Sequence, residues 1–189
     1  MDWAWYVAGG VVVVALVGVL VGLIWGRRAG DNGLMVKDGN ALRWLKVDLP
    51  LPVFFDEDLD DKWLVRWGLA VAEIRKVIGR DAFMPATMAV IEGATLGGVL
   101  LSDGEGNPST ELSWDKRSGV ILRAHVSLPT ALSDHEAAGV IVLHEALHAL
   151  GFDHDKDRAS VMHPAIQDRA QRLTASDAAL LKATYGALG

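Results

Sequence analysis

The sequence predicts an α+β fold, helices packed on one sheet, behind a single N-terminal transmembrane helix. Three observations predict it. Residues 3–25 carry no charge and are dominated by Val, Leu, Gly and Ala, a run long enough to cross a bilayer. Long segments near residues 56–79 and 133–151 repeat their apolar residues at helical spacing. Between them lie four short apolar runs separated by glycine-containing turns, and a fifth precedes the first helix, enough for one five-stranded sheet.

Residues 1–28 are expected to be the membrane anchor. As a helix the run from Trp3 to Trp25 would span about 35 Å, against a hydrocarbon core of about 30 Å. Trp3, Trp5 and Tyr6 lie at one end and Trp25 at the other, where amphipathic rings sit at the interfaces, and Arg27 and Arg28 close the span. A cleaved signal peptide fits less well: no Lys or Arg precedes the run, and no A-x-A-like site follows it. Gly18 and Gly22 form a GxxxG pair, which marks a candidate homodimer contact within the membrane. Arg27, Arg28, Lys37, Arg43 and Lys46 all follow the span, so the positive-inside rule places the C-terminal domain in the cytoplasm. Residues 29–42 are rich in turn formers and read as a short tether to a domain over 43–189.

Residues 43–55 read as a strand broken near Pro50 and Pro52. The helix from Asp56 to Gly79 has Asp58, Asp60 and Asp61 in its first turn, where the helix dipole favours acids. Trp63, Trp67, Ala70, Val71, Ile74, Val77 and Ile78 make its core stripe. The next strands are expected at 86–92, 97–101, 110–114 and 119–128. His125, in the last of them, reads as structural. Ser133-Asp134-His135-Glu136 matches a capping box opening the second long helix, with His135 a solvated first-turn residue and Val140, Leu143, Leu147 and Leu150 on its buried side. Thr174 to Asp177 is a second capping signal, opening a last helix through Ala178, Leu180, Leu181 and Tyr185 to Gly186.

The second helix carries the chemistry. His144, Glu145, His148, Gly151 and His154 spell H-E-x-x-H-x-x-G-x-x-H. Residues four apart on a helix share a face, so His144 and His148 can bind one ion. Gly151 can take the left-handed conformation that ends a helix, and the returning chain can bring His154 to the same ion. Three nitrogen ligands leave a fourth position for water, the catalytic arrangement of Zn²⁺. Glu145, beside the first ligand, can reach that water. The chain has 189 residues, a net charge of −6 and no cysteine. The charge argues against nucleic acid as a partner, and the lack of cysteine excludes disulfides and thiolate zinc sites.

Ser160-Val161-Met162-His163-Pro164 places a methionine turn shortly after the third histidine. With this turn the chain resembles the metzincin zinc peptidases, most closely their matrixin-like branch. By element order the resemblance extends loosely over residues 45–189. It implies a long helix under a mixed sheet, a zinc helix, the Met-turn and a C-terminal helix. It implies that Met162 forms a floor beneath the metal without ligating it, and that His163 and Pro164 line the pocket for the residue after the cut. Matrixin-like domains often bind calcium in loops such as Ser102 to Asn107, although the EF-hand spacing is missing here. The domains of such enzymes usually lie outside the cytoplasm, opposite to the charge rule. Latency through a propeptide cysteine is excluded. Asp155 stands where matrixins usually have Ser, and Asp153 and Asp155 are candidate acceptors behind a ligand histidine. The expected function is a membrane-anchored zinc endopeptidase cutting protein or peptide substrates, with Glu145 as general base to a zinc-activated water. The alternatives are a non-catalytic, membrane-anchored zinc-binding interaction module and a zinc hydrolase of small amides.

Overall fold

The first long helix forms because apolar residues recur every three or four positions along it. In a computed structural model, which describes residues 33–89, 97–165 and 171–186, this helix, α1, runs Asp61–Ile78. Trp63, Trp67, Ala70, Ile74 and Ile78 face the interior. Both tryptophans are therefore core residues, as expected. Asp60 caps the helix by accepting from the Lys62 amide, and Gly79 ends it at φ 74°, a conformation costly for residues with a Cβ. The helix thus starts later than expected, and only Asp61 lies in its first turn.

The sheet is five-stranded and mixed. Its strands are β3 (Leu51–Phe55), β4 (Phe83–Met88), β5 (Gly98–Ser102), β6 (Ser109–Trp114) and β7 (Ile121–Ser127), in the order β4-β3-β5-β7-β6. All pairings are parallel except β6 with β7. Leu51, Val53, Val99, Leu101, Ala124 and Val126 are buried on the inner face. The first strand is shorter than the expected 43–55: Lys46–Asp48 forms a 3-10 turn, and Trp44 is buried outside any strand. Pro52 sits inside β3, a strand paired on both sides, where a missing N–H would break a regular ladder. The β3–β4 register shifts between Leu51 and Val53, which accommodates it. The strand expected at 86–92 begins earlier, at Phe83, and residues 90–92 lie outside the described residues.

Two more helices complete the domain: α2 (Ala138–Ala149) and α3 (Ala175–Tyr185). α1 packs against both. The capping box expected at Ser133–Glu136 does not form. The Ser133 hydroxyl donates instead to Asp60 Oδ2 (2.6 Å), tying the approach to α2 to the start of α1. Thr130–Leu132 is a 3-10 turn, and α2 begins only at Ala138 with no side-chain cap. The second capping box does form: Thr174 accepts from the Asp177 amide, and Asp177 accepts from the Thr174 amide.

Residues 33–42, expected as the end of the tether, pack on the domain. β1 (Val36–Lys37) and β2 (Asn40–Ala41) form a hairpin, Leu34 and Leu42 are buried, and the Met35 amide donates to the Gly151 carbonyl. The expected transmembrane run 3–25 and its glycine pair lie outside the described residues. No helix among the described residues is long and apolar enough to cross a membrane.

The C-terminal end of α2 is fixed from two sides. The Trp44 indole donates to the Ala149 carbonyl (2.8 Å). The Tyr185 hydroxyl donates to the Leu150 carbonyl (2.6 Å) and accepts from the Trp44 amide (3.1 Å). Tyr185 is fully buried. Replacing it with Phe keeps the ring but strands a carbonyl and an amide, at a cost of about 2–4 kcal/mol. Urea unfolding of Tyr185→Phe checks this, and an unchanged midpoint would show that these groups find other partners.

Candidate metal centre

α2 carries the site because it is buried almost all round. Ile141 to Ala149 are all buried, rather than the single side that the periodicity implied. The helix is enclosed by α1, β6 and β7. His144 and His148 lie one turn apart with ring centroids 4.4 Å from each other. Gly151, at φ 91°, turns the chain where a Cβ would collide with the Leu42 carbonyl. That turn brings the His154 ring to 5.3 Å from His144 and 4.7 Å from His148. One ligand atom from each of His144, His148 and His154 lies within 4.8 Å of the others. This is the one such cluster found among the described residues.

The outer contacts set the tautomers. His144 Nδ1 donates to the Val161 carbonyl and His148 Nδ1 to the Phe152 carbonyl, each at 2.7 Å. Both rings therefore present Nε2 lone pairs to the cluster. His148 Nε2 and His154 Nε2 are 3.2 Å apart. Tetrahedral zinc with nitrogen ligands at about 2.0–2.1 Å requires a spacing of about 3.3 Å. The donor set and this spacing fit a zinc ion. At His144 and His148 these carbonyls take the role foreseen for Asp153 and Asp155. Those carboxylates cap the loop instead, Asp153 accepting from the His154 amide and Asp155 from the Asp157 amide.

The methionine turn holds two of the three histidines. Its Val161 carbonyl takes His144, and its Met162 carbonyl accepts from the Asp155 amide, next to His154. Met162 itself is buried. The turn is anchored to α3, since the Ser160 hydroxyl accepts from the Met162 amide and donates to buried Asp177. Pro164 lines the cleft with Thr110, Ile141, His144, Glu145, His148 and His154. His163 is not among those lining residues; its Nδ1 lies against the main chain of Ala165, 3.0 Å from the carbonyl oxygen and 3.2 Å from the amide. His135 is exposed, as expected, but it also lines the cleft. His125 is paired with the Ser102 hydroxyl at 2.7 Å, a structural role. In the Ser102 to Asn107 loop, expected to be a plain surface turn with calcium as the weaker alternative, Asp103 accepts from both the amide and the hydroxyl of Thr130.

A family model for matrixins matches residues 55–186, most of the chain. The chain belongs to the matrixin family. It carries a matrixin zinc metalloprotease domain, and Zn²⁺ is the metal of that site. Among curated proteins, no sequence matches it. Among solved structures it is similar to high choriolytic enzyme 1, a hatching-enzyme zinc protease from the medaka fish Oryzias latipes. The two share 15% identity at a TM-score of 0.40, over 64% of this chain and 54% of the other. The assignment rests on the family model.

Glu145 of the matrixin domain is buried, and its carboxylate accepts from the Thr110 hydroxyl at 2.6 Å. Burial pushes its carboxyl up to about 7, against the opposing pull of that hydrogen bond. Thr110 was not singled out in the sequence. Its alternation with Leu112 and Trp114 on β6 was the available signal that it faces inward.

Burial also lowers both helical histidines, His148 down to about 3, with proximity to His144 adding to the effect. Their pKa values are depressed, so their contribution to stability is present above the ordinary 6.5 and is lost as pH falls below it. Glu145 acts oppositely: its contribution is complete below 4.5 and is lost as pH rises toward 7. Two imidazoles oppose one carboxyl, so the zinc-stripped chain should lose stability from pH 7 to pH 5. Melting temperatures across that range test this, and a rise on acidification would contradict it.

Proposed function

We propose that this chain is a membrane-anchored endopeptidase in which Glu145 is the general base. The observation that carries the reading is the buried Glu145 carboxylate in the same cleft as the three histidines. A zinc ion held by His144, His148 and His154 would supply Lewis acidity, bringing the pKa of water to about 7 and polarising the peptide carbonyl. Glu145 takes the proton of the attacking water and returns it to the departing amine. Its raised pKa matches that double task, while a nearby cation favours the ionised form that acts first. Met162 sits in the turn that fixes two ligands, and Pro164 forms part of the pocket for the residue after the cut.

Substrate binds extended along β6. This strand ends the sheet, and its first residues, Ser109 and Thr110, line the cleft together with Asn107 and Pro108 just before them. An added strand gains main-chain hydrogen bonds without requiring a particular sequence. Residues 3–25 serve as a single membrane span, on the strength of their length and aromatic ends. The intact Glu145 and the complete ligand set disfavour a non-catalytic binding module.

A mixed peptide library given to the purified chain tests the activity. Internal cuts that vanish with a zinc chelator support an endopeptidase. Zinc-loaded chain that makes no cuts refutes it. Carbonate extraction of membranes tests the anchor: the chain should stay in the pellet, and release into the supernatant would refute it. Protease digestion of sealed vesicles then reads the side. Protection in right-side-out vesicles means a cytoplasmic domain, as the charge rule has it, and digestion means the opposite.

A further inference from the structure

We propose that Thr110 is the positioning residue for Glu145, its hydroxyl pinning one carboxylate oxygen so that the other is free to meet the reacting water. This rests on Glu145 being the base.

β6 is an edge strand whose side chains alternate: Ser109, Glu111 and Ser113 are exposed, while Thr110, Leu112 and Trp114 are half-buried. Thr110 thus faces inward, paired in register with Val126 of β7. Its Oγ1 lies 2.6 Å from Glu145 Oε2 and 3.2 Å from the Glu145 main-chain carbonyl. A hydroxyl has one proton, and the nearer, carboxylate oxygen is the stronger acceptor. Among the described residues, Thr110 is the hydrogen-bond partner of that carboxylate.

The tie matters because a glutamate has several rotatable bonds, and a general base works only within hydrogen-bond reach of its proton. Threonine suits the purpose, since its β-branch stiffens χ1 and places the hydroxyl at a fixed point of the strand. The strand is held in turn by the antiparallel ladder to β7. The same stretch of β6 is the edge on which the substrate lies. The residue that seats the base is therefore built into the surface that seats the peptide.

The experiment compares the full-length, zinc-loaded wild type with Thr110→Val and Thr110→Ser. Val keeps the shape without the hydroxyl, and Ser keeps the hydroxyl without the methyl. One hydrogen bond to a charged group corresponds to a loss of roughly ten- to a hundredfold in kcat for Thr110→Val. KM and zinc stoichiometry should stay at wild-type values, and Thr110→Ser should recover most of the rate. A second readout does not use activity. In the zinc-stripped chain, Thr110→Val should lower the urea midpoint, and should do so much less when Glu145→Ala is also present. Three results would overturn the proposal: kcat of Thr110→Val within twofold of wild type, equal losses in the Val and Ser variants, or additive midpoints. A zinc-loaded wild type that cuts nothing would overturn the endopeptidase reading as well. Normal wild-type cleavage with an indifferent Thr110→Val would overturn the positioning role alone.

Discussion

Glu145→Gln should bind zinc as the wild type does and lose about 10²–10⁴-fold in kcat, the contribution of a positioned general base. The substitution is nearly isosteric and leaves an oxygen to accept from Thr110. His144, His148 and His154 keep their carbonyl partners and their spacing, so the metal should stay. What goes is a group that can hold a proton between water and the leaving amine. Zinc content and cleavage measured on the same preparation separate the two effects. Cleavage at the wild-type rate would show that Glu145 is not the base.

His148→Ala should lose the metal. This residue is the middle ligand, four residues after His144, with its Nε2 3.2 Å from that of His154. It is also buried, and its Nδ1 partners the Phe152 carbonyl. Alanine leaves two ligands, a small void and an unpaired carbonyl. The fall in zinc affinity should exceed the roughly 10–100-fold typical of losing an outer partner of a ligand. Competition with a chromophoric chelator measures it, and cleavage should disappear at stoichiometric zinc. Unchanged affinity would place the ion elsewhere.

The site's ligands were legible because each letter of the motif has a local cause. A four-residue helical spacing, a glycine able to turn and a third histidine after it need no distant information. The helix α1 was legible for the same reason, through Trp63, Trp67, Ala70, Ile74 and Ile78. Readings failed where a distant group took over a local signal. Ser133 looked like a cap and is captured by Asp60, 73 positions away. Trp44 looked like a strand residue and is bound instead to the Ala149 carbonyl. Asp153 and Asp155 were candidate acceptors behind a ligand histidine, but at His144 and His148 main-chain carbonyls already occupy Nδ1. Thr110 could be placed on the inward face of β6 by alternation. Which helix residue it would meet follows from the packing of β6 on α2, and spacing does not encode that.

In the proposed function the three histidines and Glu145 act as one zinc-dependent peptidase centre. The most direct test is to titrate zinc into the stripped chain and follow peptide cleavage and metal binding together. The rate should rise in proportion to occupancy and level off at one zinc per chain. Cleavage that is already complete without zinc, or full zinc binding with no cleavage, would contradict it.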